Sequence, residues 1–298
     1  MSGPSTLDVM IIGCGALGVR VAALWRAKDA RVSALVRSTT SAARLQGQGL
    51  QTVDGDLDDV RSLTKLVVDD TILYYFVPPL SQGAKDLRMR AFAEAVTQAP
   101  RRMVYLSTTG VYGDCDGAWI DEDRPANPQH DRGRRRRDGE CVAQAWAQKH
   151  HVPLVILRVA GIYGPGRLPL ARIQRATPLL NEKESGFTNR IHIDDLVQVC
   201  VAAAERGTPG RVYNVTDGQP CTMTHYFYRI ADTFGLARPP TVSRDVAQEI
   251  LSPGMLSYLD ESRRIKNSRM LEELGVTLKY PNLDVGLEAT KAQQDALI

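Results

Sequence analysis

The chain has few cysteines, few aromatics and little net charge, and each shortage excludes something. Cys14, Cys115, Cys141, Cys200 and Cys221 are an odd, scattered set among 298 residues. They show neither metal-ligand spacing nor the density of a disulfide scaffold, so reduced thiols and no metal are expected. A net charge of +3 supplies no global field for nucleic acid. Aromatics make up 6% of the chain, and none interleaves with the arginines of its one basic run, so no stacking platform for single strands is evident. No apolar run approaches the ~20 residues of a membrane helix. The opening residues, Met1 to Asp8, lack the basic and apolar stretches of a secretory leader. The expectation is a cytoplasmic protein with a small-molecule ligand and neither nucleic-acid nor membrane partners.

What is present begins with Val9-Met10-Ile11-Ile12, a short apolar run that reads as a buried strand. It enters Gly13-x-Gly15-x-x-Gly18, and a helical pattern through Leu17, Val21, Leu24 and Trp25 leaves it. In a dinucleotide site Gly13 permits the tight turn, Gly15 admits a pyrophosphate close to backbone, and Gly18 lets helix lie on strand. The helix start at Ala16 and Leu17 offers amides and partial positive charge to phosphates.

A second strand, Ala30 to Val36, ends at Arg37-Ser38. An acid at this place would accept the ribose 2′-hydroxyl, whereas an arginine suits a 2′-phosphate. No acid stands there, so NADP is favoured over NAD; the plain alternative is that Arg37 is a solvated strand-end charge. Asp54 to Asp59 follows a short strand. Asp56 and Leu57 lie either over the adenine or in a solvated turn and helix cap. Thr71 to Val77 is an apolar strand stopped by Pro78-Pro79, on the edge where the cofactor runs on past Val77 and Pro78. A helix is expected over about 82–98. The strand from Arg102 delivers Ser107, Thr108 and Thr109 to the carboxyl end of the sheet, where ligands of doubly wound folds bind. An irregular polar stretch, 114–129, precedes the run Arg132-Gly133-Arg134-Arg135-Arg136-Arg137, which leads into an amphipathic helix. This run either grips an acidic substrate or is a solvated loop and helix start. Val152 to Val159 is a further buried strand. From Gly13 to here strand and helix alternate about six times, which predicts α/β architecture with a doubly wound parallel sheet.

Five motifs in order then carry a resemblance: the glycine turn, Ser107-Thr108-Thr109-Gly110-Val111-Tyr112-Gly113, Arg158 through Tyr163-Gly164-Pro165-Gly166, Arg190-Ile191-His192-Ile193-Asp194-Asp195-Leu196, and Val212-Tyr213-Asn214-Val215. Together they resemble the extended short-chain dehydrogenases/reductases of the NAD(P)-dependent epimerase/dehydratase group. The resemblance implies a Rossmann domain over 1–165 with about 190–216. It implies a smaller, mostly helical substrate lobe over about 166–189 and 217–298, and a homodimer paired through helices. It also implies hydride transfer aided by a Ser/Thr, a Tyr and a Lys. Thr108, with Thr109 beside it, matches the hydroxyl residue. Counting back from Glu140, the tyrosine position falls on Arg132 and the lysine position on Arg136. Arginine stays protonated and cannot shuttle a proton. The chain therefore resembles the atypical branch that lacks the usual tyrosine.

Tyr112, Tyr163 and His192 remain as proton-handling candidates, with packing as their default role; Tyr163 is kept with Thr108 and Thr109 among the catalytic residues, and an unidentified group or water handles the proton. Ala160 is expected beside the nicotinamide, and Arg136 and Arg190 on the substrate side. The reading is an NADP-binding reductase or epimerase-like protein acting on a carbonyl or alcohol of a small polar substrate, a sugar nucleotide among the options. The rival is a non-catalytic NADP-binding sensor or scaffold.

Overall fold

The computed structural model describes residues 6–295. The reading of a missing leader rests mostly on residues 1–5, outside that range. Seven strands form one parallel sheet in the order Val212–Val215, Leu154–Val159, β5 (Arg102–Thr108), β4 (Ile72–Tyr75), β1 (Asp8–Ile12), β2 (Arg31–Val36), β3 (Gln51–Asp54). The order reverses between β1 and β4, so their carboxyl ends open the crevice in which such sheets take ligands.

Helices cover both faces, and residues alternate between two cores at the strand period of two. Val9 and Ile11 of β1 and Tyr74 of β4 pack with α1 (Ala16–Arg26) and the helix Ile193–Arg206. Met10, Ile12 and Tyr75 face α3 (Leu87–Ala95) and α4 (Asp131–Lys149) through Phe92 and Trp146. Trp25 Nε1 donates to the Tyr74 hydroxyl at 2.8 Å, and that hydroxyl donates to the Cys200 carbonyl at 3.2 Å, satisfying both buried polar tips. A third apolar cluster joins Ile173, Tyr226, Phe227 and Leu287 in the largely helical C-terminal part.

Three local expectations change. The helix expected over about 82–98 starts only at Leu87, because Asp86 caps it by accepting from the Met89 amide at 3.0 Å, and it stops before Val96 turns extended. The stretch 114–129 holds a two-residue strand, Trp119–Ile120, paired in parallel with Arg264–Ile265. That contact spans more than 140 residues and has no local signature. The arginine run is not a loop but the first two turns of α4.

Candidate active site

Gly13 adopts φ +93°, and a Cβ there would sit 2.9 Å from the Val77 nitrogen, so only glycine lets β1 turn against the end of β4. The turn leads into α1, whose N-cap Gly15 brings no side chain to its first amides. A Cβ at Gly15 would meet nothing within 4 Å. That open cradle of amides is what a phosphate requires. It belongs to a cavity of about 690 Å³ that Gly13, Ala16 and Leu17 line on one side and Val77 and Pro78 on the other. Arg37, Asp56 and Leu57 line its far end, and the Asp56 carboxylate also accepts from the Asp58 amide at 3.0 Å. The residues present fit a dinucleotide.

Three expected cofactor residues lie back from this wall. Gly18 serves packing, since a Cβ there would press on Ile11 at 3.2 Å. The Ser38 hydroxyl caps α2 (Thr39–Gln46) by accepting from the Ser41 amide. Ser107 donates to Glu140 Oε1 at 2.6 Å and is buried. In their place the structure brings Ser41 and Arg44 to the cavity, one helical turn apart on α2. The Arg44 guanidinium also donates to the Cys14 carbonyl at 3.3 Å, tying α2 to the glycine turn. The i, i+3 spacing after Arg37 was the available signal.

A second cavity of about 930 Å³ adjoins the first, and Pro78, Arg136, Ile162 and Arg167 line both. Thr108, Thr109 and Ala160 line it from the sheet edge, and Arg190, Tyr226 and Met255 from the C-terminal part. The Thr108 hydroxyl accepts from the Gly110 amide at 3.2 Å, which fixes its rotamer at the cavity wall. Gly133 brings α4 close, since a Cβ would meet the Gly110 carbonyl at 2.8 Å. This close approach carries Arg132, Arg135 and Arg136 over the cavity. Arg132 donates to Glu261 Oε1 at 2.9 Å and to the Ser257 carbonyl at 2.7 Å, and it lies over the Tyr258 ring at 4.0 Å. Arg263 holds the other oxygen of Glu261 at 2.7 Å. Arg136 donates to the Val77 carbonyl at 3.3 Å and reaches the Tyr105 hydroxyl at 3.5 Å.

The aromatic candidates turn away from both cavities. Tyr163 lines neither; it is fully buried and donates to the Asn282 carbonyl at 3.3 Å, and burial pushes its phenol well above the usual range. The candidacy of Tyr163 as a catalytic residue is corrected on that geometry, since its phenol is buried against the Asn282 carbonyl and faces neither cavity. Tyr112 donates to Asn214 Oδ1 at 2.7 Å inside the core. His192 is sealed between Tyr163 and Tyr280 and accepts from the Asp194 amide at 3.2 Å. Burial pulls its pKa down to about 4. It caps a helix.

Behind the Thr108 strand lies a buried ion cluster. Arg158 grips Glu140 with two hydrogen bonds, 3.0 and 2.9 Å, and Arg137 adds a third at 2.8 Å. Burial raises Glu140, but these donors and Ser107 outweigh it and hold the carboxyl below its usual range. Among the described residues no group of three metal-ligating side chains gathers, and no helix is long and apolar enough to cross a membrane.

Residues 9–216 match the family model of the NAD dependent epimerase/dehydratase family. The chain belongs to that family. It is similar over 92% of its length to protein YeeZ of Escherichia coli strain K12, 28% identical and covering 96% of that protein. A functionally unknown conserved protein from Silicibacter pomeroyi superposes with TM-score 0.82 at 33% identity, covering 97% of this chain and 100% of that one. The UDP-glucuronic acid 4-epimerase of Bacillus cereus, solved in complex with NAD, shares the fold at TM-score 0.74 and 18% identity, over 98% and 99% of the two chains. The human dTDP-D-glucose 4,6-dehydratase matches 28% over 122 residues, which is 38% of this chain and 35% of that protein.

The two positions at which the resemblance expects a tyrosine and a lysine lie on α4. The side chain at the expected tyrosine position, Arg132, is engaged by Glu261, Ser257 and Tyr258. The side chain at the expected lysine position, Arg136, stands where the two cavities join.

Proposed function

We propose that this protein binds NADP(H) and acts as a reductase or epimerase-like oxidoreductase on a carbonyl or alcohol of a small polar substrate. The observation that carries the reading is the junction of the two cavities at Pro78, Arg136, Ile162 and Arg167, beside Thr108 and Ala160. A cofactor held by the glycine turn and a substrate held above Thr108 would meet there. The cofactor supplies or accepts the hydride. In this reading the sheet part, to residue 165 with 190–216, holds the cofactor. Residues 166–189 and 217–298 shape the substrate side.

Arg37, Ser41 and Arg44 line the cofactor cavity, and their guanidinium and hydroxyl donors suit a 2′-phosphate. The Thr108 hydroxyl orients the substrate oxygen. Arg136 and Arg190 are cationic and can stabilise negative charge on the substrate without giving up a proton. The proton therefore passes through water or a substrate group. Relatives named as a dTDP-glucose 4,6-dehydratase and as a ketoreductase support the oxidoreductase class, and the former keeps sugar nucleotides among the options.

The test is consumption of NADPH by a panel of carbonyl compounds, compared with Thr108→Val. Turnover of any member that falls at least tenfold in the variant supports the reading. A second reading, NADP binding without turnover, is favoured by the engagement of Arg132 and the sealing of Tyr112, Tyr163 and His192. It predicts tight NADPH binding and a background oxidation rate identical in wild type and Thr108→Val.

A further inference from the structure

Seven arginines line the substrate cavity, and their pairing divides them. Arg132 and Arg263 share Glu261, whose two oxygens are thereby occupied. Among the described residues Arg135, Arg136, Arg167, Arg172 and Arg190 take part in no salt bridge, although the same wall bears them all. Arg135 and Arg136 donate only to uncharged oxygens, the Gly83 and Val77 carbonyls and the Tyr105 hydroxyl. Arg172 and Arg190 lie over the Phe227 and Tyr226 rings at 4.7 and 4.1 Å. The Nε of Arg172 is buried with no partner, and burial lowers the basicity of that side chain.

Cations gathered in one cleft raise the local potential together, and an anion offsets the desolvation of those that are half-buried or buried, while the exposed Arg167 is free to meet it. Glu261, the one carboxylate on the cavity wall among the described residues, is already committed, so for Arg135, Arg136 and Arg167 the anion comes with a ligand. Place then decides which part of the ligand carries it. Arg136 and Arg167 are the two arginines that line both cavities. They stand at the junction where the reacting end of a substrate faces the cofactor side, and Arg135 neighbours Arg136 on α4.

We propose that the substrate carries an anionic group, a carboxylate or a phosphate, at its reacting end, and that Arg136 and Arg167 with Arg135 bind it. A guanidinium fork matches either group bidentately and is more weakly hydrated than an ammonium, so arginine here selects for a planar or tetrahedral oxyanion. This inference rests on the two-cavity reading above and names the substrate class that reading leaves open. It also gives arginine at the lysine position a task that needs no proton.

The experiment is calorimetric titration of the NADPH-saturated full-length protein, at low salt, with oxalate, inorganic phosphate and neutral erythritol. Arg136→Gln, Arg167→Gln and the control Arg134→Gln are run alongside. Arg134 is exposed and pairs with Asp131 outside the cavity. The expected result is binding of oxalate or phosphate and not erythritol, weakened at least tenfold in Arg136→Gln and Arg167→Gln and unchanged in Arg134→Gln. NADPH affinity stays within threefold throughout. The tighter of the two anions identifies the carboxylate or phosphate source. Absence of anion binding in wild type, or equal binding in all variants, overturns the proposal. So does a parallel loss of NADPH affinity, which would assign both arginines to the cofactor. If wild type binds no NADPH, the cofactor reading fails separately, and the same anion titration on the free protein still tests the arginines.

Discussion

Arg132 Nη2 lies 2.9 Å from Glu261 Oε1, joining the first turn of α4 to the second residue beyond the helix Pro253–Leu259. At the position where the family resemblance expects a tyrosine, the side chain is thus a strut between the sheet part and the C-terminal part. Its partner is shared with Arg263 and is almost wholly buried.

Removing that carboxylate leaves two partly exposed guanidinia facing each other. Glu261→Gln should destabilise the fold by about 1–3 kcal/mol, below the range for a fully buried pair because both arginines keep some water. Urea unfolding reads this directly, and an unchanged midpoint would show that the strut carries no stability.

The Arg158–Glu140 pair is more deeply buried, and Glu140 also accepts from Ser107 and Arg137. Glu140→Gln strands Arg158 and should cost about 3–5 kcal/mol. Arg158→Met with Glu140→Leu, which removes both charges, should recover much of that loss. A double-mutant cycle in chemical denaturation measures the difference, and a double variant weaker than both singles would contradict it.

Asp217 gives a pH signature. Burial raises its pKa to about 7 against an ordinary 3.8, and its Oδ2 has no hydrogen-bond partner. A raised folded value means that the stability linked to the protonated form is complete below 3.8 and is lost as pH rises through 7. Asp217→Asn, which is always neutral and keeps the oxygen that accepts from Gln219, should therefore gain on wild type by about 1–3 kcal/mol between pH 4 and 8. Parallel stability curves for the two proteins over that range would refute the assignment.

Gly133→Ala places a Cβ 2.8 Å from the Gly110 carbonyl, a backbone atom that cannot swing away. The start of α4 must shift, so the arginines move relative to Thr108. Oxalate binding in the NADPH complex should weaken about tenfold while far-UV circular dichroism stays unchanged. Binding equal to wild type would mean that the close packing does not position the cavity wall.

The parallel sheet and the glycine turn were legible because they rest on local rules: apolar runs of strand length, a Gly-x-Gly-x-x-Gly between strand and helix, and proline as a stop. The site was legible only by place, because alternation along a strand decides which neighbour faces a cleft. Ile162 lines both cavities while Tyr163 turns into the core; Thr108 faces the cavity while Ser107 turns to Glu140. A one-residue difference of this kind depends on the register against neighbouring strands, which composition does not reveal. Ser41 and Arg44 escaped notice because their role appears only once α2 is set beside the glycine turn. Glu261 and Arg132 meet across more than 120 residues, with no trace in local pattern.

The central claim is that the turn from Gly13 to Gly18, with Arg37 and Arg44 beyond it, holds NADP(H). Calorimetric titration of purified protein with NADPH and NADH, beside Arg37→Asp and Arg44→Glu, tests it most directly. The account predicts NADPH binding at least tenfold tighter than NADH, with that preference cut about tenfold or more in each variant while NADH affinity holds, as expected for charge-assisted bonds to a phosphate. No binding of either cofactor, or a preference for NADH that both variants leave unchanged, would contradict it.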